Sequence, residues 1–213
     1  MRQFMVLAAI HFIAVVSPGP DFAITVQQSL RWGRKIGVAT ALGIGCGISL
    51  HVAYTLLGVG ALMHMHSWVT KAIGTAGAIY LLYLAIQLLG SRGSAAPLPP
   101  AVERTSDDFD TSQLTWSGAF SKGFLTNALN PKATLFFLAI FTTLVSPSTP
   151  LTIQIMYGVW MCAVNAAWFM AVANLFTVTR IRNSFLRFSS VIDKGMGVAF
   201  AVFAIRLLFG AWA

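Results

Sequence analysis

Charged residues are scarce in this chain, and acidic residues are the scarcer kind. Charged residues make up 9% of the 213 positions, and only six of them are Asp or Glu. A soluble domain carries about 25% charged residues, so this shortage argues against an ordinary soluble protein. Hydrophobic residues make up 57% of the chain, which predicts an integral membrane protein. Little chain remains for a catalytic domain and no nucleophile–base triad is recognisable, so we predict that the protein is not an enzyme.

Six apolar stretches are long enough to cross a bilayer, which takes about 20 residues for a helix. They are Met5–Leu30, Gly37–Leu62, Trp68–Leu89, Ala119–Val145, Leu151–Val178 and Ser190–Ala211. We therefore predict an all-α membrane protein with six transmembrane helices.

The basic residues indicate how these helices are oriented. Nine Lys and Arg residues lie in the loops after the first, third and fifth stretches, and three lie on the opposite side. By the positive-inside rule the richer loops are cytoplasmic, which leaves both termini outside. The alternative is that Arg2 holds the N-terminus inside, with five or seven spans.

Because the net charge of +8 is spread over loops, we predict no nucleic-acid partner.

Two apolar stretches are broken by proline at matching places, Ser17–Asp21 and Asn127–Lys132. Proline stops or kinks a helix, and the freed backbone groups must line a cavity or pack against protein. Pro18 and Pro131 are 113 residues apart, and the stretches that contain them start 114 residues apart. A repeat with an odd number of spans ends on the side of the membrane opposite to its start. The second copy of a three-span repeat is therefore inverted relative to the first. Breaks at matching positions of two repeats indicate the binding site of a secondary transporter.

A segment rich in proline and acidic residues, Ser91–Trp116, separates the two halves. Its composition is typical of disorder, and we predict a cytoplasmic linker over residues 91–116. The first three-helix repeat then covers residues 1–90 and the second covers 117–213. Glycines four residues apart, such as Gly43 and Gly47, favour close helix packing and would permit a homodimer.

Several motifs in order carry a family resemblance. They are Ser17–Asp21, Gly43–Gly47, Gly77–Tyr83, Lys122–Ala133 and the pair Ile192-Asp193. On these motifs the chain resembles the LysE/RhtB-type amino-acid exporter family, and within it the threonine and homoserine exporters. The resemblance implies a multi-pass protein of the bacterial inner membrane that expels a small neutral amino acid by means of the proton gradient. Lys194 departs from the pattern, since a small residue is expected there.

An amino acid presents a carboxylate and an ammonium group, so its site needs positive potential beside an anion. The helix N-termini after the two breaks supply positive dipole ends for the carboxylate, and Lys132 reinforces them. Asp21 is the natural partner of the ammonium group. No metal or organic cofactor is needed for this task. The predicted substrate-binding residues are Ser17, Pro18, Gly19, Pro20, Asp21, Asn127, Asn130, Pro131 and Lys132.

Asp21 and Asp193 are also predicted to handle the coupled proton, because a charged residue within a span is costly and by default functional. The alternatives are that Asp21 and Lys132 only neutralise each other, or that Asp21 caps the helix that follows it. Asp193 has the alternative role of an interfacial residue that reaches the lipid headgroups. Asn165 is a polar residue in an apolar span, and it is predicted to form a hydrogen bond between helices. For Gln27, Gln28, His11 and His51 the alternatives are to face a cavity or to mark a helix contact, and single polar residues on a span more often mark a helix contact.

Two other functions stay open at this point. Cys46 and Cys162 are 116 residues apart, so the repeat symmetry could bring them together as an intramembrane thiol–disulfide electron carrier. Without a Cys-x-x-Cys motif they also fit buried small hydrophobes. The other alternative is a carrier for another small solute or an ion. We predict no metal site, because a metal prefers a cluster of ligands and the spans offer only Asp21 and Asp193.

Overall fold

The computed structural model describes residues 2–63, 67–91, 114–145 and 149–212, and its regular elements there are all α-helices. This confirms the predicted all-α class. The helices are α1 (Arg2–Val16), α2 (Pro20–Trp32), α3 (Arg34–Met63), α4 (Ser67–Gly90), α5 (Trp116–Ala128), α6 (Pro131–Leu144), α7 (Leu151–Leu175) and α8 (Thr179–Trp212). Residues 92–113 of the predicted linker lie outside the described residues.

The first and fourth apolar stretches are each divided into two helices, so the predicted breaks at proline are confirmed. The axes of α1 and α2 differ by 51°. Pro20 and Pro131 stand in the first turn of α2 and α6, where the missing N–H of proline costs nothing. Gly19 is the N-cap residue of α2 and Asp21 lies inside the first turn, where its carboxylate accepts hydrogen bonds from Asn127 and Asn130. The alternative that Asp21 caps this helix is therefore wrong.

Length and composition identify three candidate membrane spans among the described residues. They are Arg34–Leu57 within α3, Leu151–Leu175 and Arg187–Arg206 within α8, and the bent pair α1–α2 adds a fourth if it crosses as one span. Thr75–Gly90 in α4 and Pro131–Ile140 in α6 are shorter apolar helices. The count of six spans therefore stays a prediction.

Helix α3 packs along both α5 and α7, and α4 packs along α8. The approach of α3 to α5 depends on glycine. A Cβ atom on Gly43 would lie 2.0 Å from the carbonyl oxygen of Phe120, and one on Gly123 would lie 2.1 Å from that of Thr40. The helix-packing role predicted for Gly43 is thus confirmed. These contacts fix α5 on α3 and so fix the position of the second break, which follows α5.

Candidate functional site

A cavity lies where the two helix breaks meet. Its walls are largely aromatic and aliphatic, and both breaks contribute polar residues to it. The residues that line it from the breaks are Ser17, Gly19, Pro20, Asp21, Asn127, Asn130 and Lys132.

The carboxylate of Asp21 is held on one side only. Its Oδ2 atom accepts a hydrogen bond of 2.8 Å from Nδ2 of Asn127 and a longer one of 3.4 Å from Nδ2 of Asn130. Its Oδ1 atom is buried and has no hydrogen-bond partner in the described part of the chain. Two amide groups therefore orient the carboxylate, and one oxygen stays available to a positively charged group.

Lys132 follows Pro131 in the first turn of α6. Its backbone N–H donates to Oδ1 of Asn130 at 3.0 Å, which caps the helix. Its ammonium group lies 3.5 Å from the carbonyl oxygen of Ser17, across the other break. Lys132 interacts electrostatically with both Asp21 and Asp193, but its ammonium group makes no hydrogen bond to either carboxylate. The carboxylate of Asp21 and the ammonium group of Lys132 therefore both lie at the cavity, and they do not form a direct ion pair with each other.

Helix α3 holds the second break from both sides. Nε2 of His51 is 3.0 Å from the carbonyl oxygen of Asn127, and its Nδ1 is 2.8 Å from the hydroxyl of Tyr54. That hydroxyl donates to the carbonyl oxygen of Thr134 in α6 at 3.2 Å. A Cβ atom on Gly47 would lie 2.7 Å from Oδ1 of Asn127. His51 thus marks a contact between helices, as predicted. It also restrains Asn127, whose side chain orients the carboxylate of Asp21.

Three predicted site residues stand apart from the cavity wall. Pro18 and Pro131 shape the breaks but do not line the cavity. Asp193 in α8 is also outside it, and its Oδ2 accepts a hydrogen bond of 2.7 Å from the hydroxyl of Ser91. The side chain of Asp193 is buried and its Oδ1 has no partner among the described residues. The alternative that Asp193 reaches the headgroups is therefore wrong.

The structure adds two residues that the sequence reasoning did not assign to the site. His11 of α1 and Asn165 of α7 line the cavity, although a helix contact was the preferred prediction for Asn165 and was preferred over a cavity position for His11. Both are buried, and both ring nitrogens of His11 and Oδ1 of Asn165 have no partner in the described part of the chain. The one signal in the sequence was a polar side chain at membrane depth, which does not reveal which way that side chain faces.

Neither cysteine belongs to the cavity wall. Cys46 is exposed on α3 and Cys162 is partly exposed on α7, and both are free thiols. They lie close enough to interact electrostatically. Among the described residues there is also no group of three or more His, Cys, Asp or Glu side chains that could hold a metal ion.

Secondary transporters commonly form their substrate sites where discontinuous helices meet, and the two helix breaks of this chain meet at the cavity. The chain belongs to the LysE type translocator family, whose family model matches residues 12–211. Similar proteins cover almost the same length. The threonine efflux protein of Escherichia coli K12 is 32% identical over 98% of each chain, and that of Salmonella typhimurium LT2 is 31% identical over 98% of each. The membrane protein YahN of Escherichia coli K12 is 26% identical over 92% of this chain and 85% of its own. No solved structure matches.

Proposed function

We propose that this chain is a secondary active transporter that exports a small neutral amino acid, similar to threonine or homoserine, from the cytoplasm. The observation that carries the proposal is the cavity with a free carboxylate oxygen of Asp21 and the ammonium group of Lys132. An amino acid carries the two complementary charges. The names of the Escherichia coli and Salmonella relatives support the same class of substrate.

The two charges bind opposite ends of the substrate backbone. Its ammonium group pairs with Oδ1 of Asp21, the oxygen that the asparagines leave free. Its carboxylate pairs with Lys132 at the N-terminal end of α6, where the positive end of the helix dipole favours an anion. Pro20 begins α2 at the cavity wall in the same way, so both half-helices contribute positive potential.

Export is coupled to the proton gradient because a substrate ammonium group and a proton compete for the same carboxylate. When the cavity faces outside, Asp21 takes up a proton and the amino acid leaves. When the cavity faces the cytoplasm, the proton departs and the next ammonium group replaces it. Asp193 is the second proton-handling residue of the proposal. Its support is a buried, half-satisfied carboxylate that interacts electrostatically with Lys132.

The proposal includes the topology that alternating access needs. Residues 1–90 and 117–213 form two inverted three-helix repeats, joined by the cytoplasmic linker 91–116, and both termini lie outside a bacterial inner membrane. The protein acts as a carrier, with no enzymatic step and no cofactor. Accessibility of single introduced cysteines to a membrane-impermeant reagent tests this arrangement. Labelling of residue 105 from outside intact cells would overturn the orientation.

The function itself is tested in cells with and without the protein, loaded with labelled amino acids from dipeptides. We expect threonine or homoserine to accumulate less in the cells that make the protein, and the difference to disappear when the proton gradient is collapsed. Equal accumulation of every amino acid in both strains would contradict export. A difference that survives collapse of the gradient would contradict only the proton coupling.

A further inference from the structure

The cavity has a second polar region besides the charges of Asp21 and Lys132. His11 exposes 1% of its surface and Asn165 exposes 4%, and both line the cavity. Nδ1 and Nε2 of His11 and Oδ1 of Asn165 have no partner among the described residues. Buried polar atoms in native proteins are nearly always hydrogen-bonded, because an unpaired one costs free energy. These three atoms therefore need a partner that the described residues do not supply.

The other buried histidine shows what a purely structural one does in this fold. Both ring nitrogens of His51 are within hydrogen-bond distance of protein oxygens. His11 instead has ring neighbours, with centroid distances of 5.7 Å to Trp160, 6.0 Å to Phe137 and 6.3 Å to Phe136. These rings fix the imidazole and keep bulk water away. They offer its nitrogens no oxygen acceptor, and in such a surrounding an unmet hydrogen bond is costly.

We propose that His11 and Asn165 form a subsite that binds the side-chain hydroxyl group of the exported amino acid. A neutral imidazole has one donor and one acceptor nitrogen, and an amide oxygen is an acceptor. A hydroxyl group both donates and accepts, so it satisfies an N–H of His11 and Oδ1 of Asn165 together. A purely apolar side chain satisfies neither. The inference rests on the proposed function, because it needs an amino acid in this cavity.

The residues that bind the substrate backbone and the residues of the subsite come from different helices. The charges that bind the substrate backbone come from α2 and α6, whereas His11 belongs to α1 and Asn165 to α7, two helices that pack against each other. The Oγ atom of Ser17, just after the end of α1, is also buried at the cavity and has no partner in the part of the chain that the structure describes. One group of helices thus recognises what all amino acids share, and another recognises the side chain.

A site built to hydrogen-bond a hydroxyl strongly rejects an analogue that lacks it, by a factor of about 10⁴–10⁵ in the best cases. An apolar pocket discriminates against an added hydroxyl by only about 100-fold. Threonine and valine are the matched probes, because a methyl group of valine takes the place of the hydroxyl group. We expect the wild-type protein to transport threonine at least about tenfold faster than valine, a preference far smaller than the largest ones known for such sites.

The test compares His11→Phe and Asn165→Leu with the wild type in proteoliposomes, by exchange of labelled threonine and of labelled valine. Phenylalanine keeps the ring contacts of His11 and removes both nitrogens, and leucine replaces Asn165 with an apolar side chain of similar size. We expect each variant to lower the ratio of threonine to valine transport at least about tenfold, with valine transport retained or increased. Gln28→Met is the matched control, because Gln28 is also buried and its oxygen has no partner among the described residues, but it does not line the cavity. It should keep the wild-type ratio.

Three outcomes overturn the inference. An unchanged ratio in Asn165→Leu, or an equal loss of threonine and valine transport in both variants, assigns His11 and Asn165 a structural role. A wild-type protein that transports both amino acids equally well indicates that bound water satisfies the three atoms. If His11→Phe does not reach the membrane, Asn165→Leu decides alone, because it leaves the ring contacts of His11 in place.

A wild-type protein that transports neither threonine, homoserine nor valine contradicts the proposed function itself, which is a separate result.

Discussion

Nδ2 of Asn127 donates a hydrogen bond of 2.8 Å to Oδ2 of Asp21, and this bond joins the two helix breaks of the chain. The two residues are 106 positions apart in sequence. Helix α3 restrains Asn127 through His51 and through the close approach of Gly47. The orientation of the buried carboxylate therefore depends on three elements at once, and a movement of one break relative to the other changes the surroundings of Asp21 directly.

The variant Asp21→Asn tests whether the charge at the first break handles substrate or proton. The side chain keeps its size, so we expect the protein to fold and reach the membrane in wild-type amounts. It should lose proton-coupled export, because a neutral amide neither pairs with an ammonium group nor releases a proton. Export measured against an imposed pH gradient in vesicles checks this. Wild-type rates with an unchanged pH dependence would rule Asp21 out of both roles.

The breaks and the charged part of the site could be predicted from the sequence, because proline acts locally and a charge in an apolar span is conspicuous. Pro20 and Pro131 stand in the first turn of α2 and α6, a position that proline favours because of its own backbone chemistry. The parts that could not be predicted depend on how helices are rotated about their axes. His11 and Asn165 face the cavity only because α1 and α7 pack in one particular way. The bond from Ser91 to Asp193 is likewise set by the packing of α4 on α8.

Gly43→Ala should destabilise the fold through the contact of α3 with α5. The added methyl group would lie 2.0 Å from the carbonyl oxygen of Phe120, and overpacking of this kind costs about 1–3 kcal/mol. We expect a lower thermal midpoint of the detergent-solubilised protein. Gly195→Ala in α8 is the control, because among the described residues no atom beyond its chain neighbours and the nearby backbone of α8 itself lies within 4 Å of the added Cβ. Equal midpoints for Gly43→Ala and the wild type would show that α5 moves away from α3 without cost.

A variant with both Cys46→Ala and Cys162→Ala should retain amino-acid export. The thiols are free and neither lines the cavity, so their removal leaves the charges and the polar lining intact. Export and membrane protein level are measured together. A loss of export at a normal protein level would favour the thiol–disulfide electron carrier over the proposed function.

Substitutions at Lys132 should show that its ammonium group binds the substrate carboxylate. Lys132→Arg keeps the charge but replaces a compact ammonium group with a planar guanidinium group, so we expect a changed apparent affinity or substrate preference. Lys132→Ala should weaken the binding of amino acids more than that of their amides, which lack the carboxylate charge. Competition by each amino acid and its amide against labelled substrate measures the difference. Equal weakening of both would contradict a carboxylate contact.

The double variant Asp21→Asn with Lys132→Ala separates substrate binding from mutual neutralisation. The two charges interact electrostatically, so each single variant leaves one charge unbalanced at the cavity. If neutralisation were their only role, removing both would restore export to near the wild-type rate. We expect instead that the double variant is as inactive as either single variant, because each charge binds its own end of the substrate. Export by the double variant at the wild-type rate would therefore overturn the assignment of Asp21 and Lys132 to the binding site.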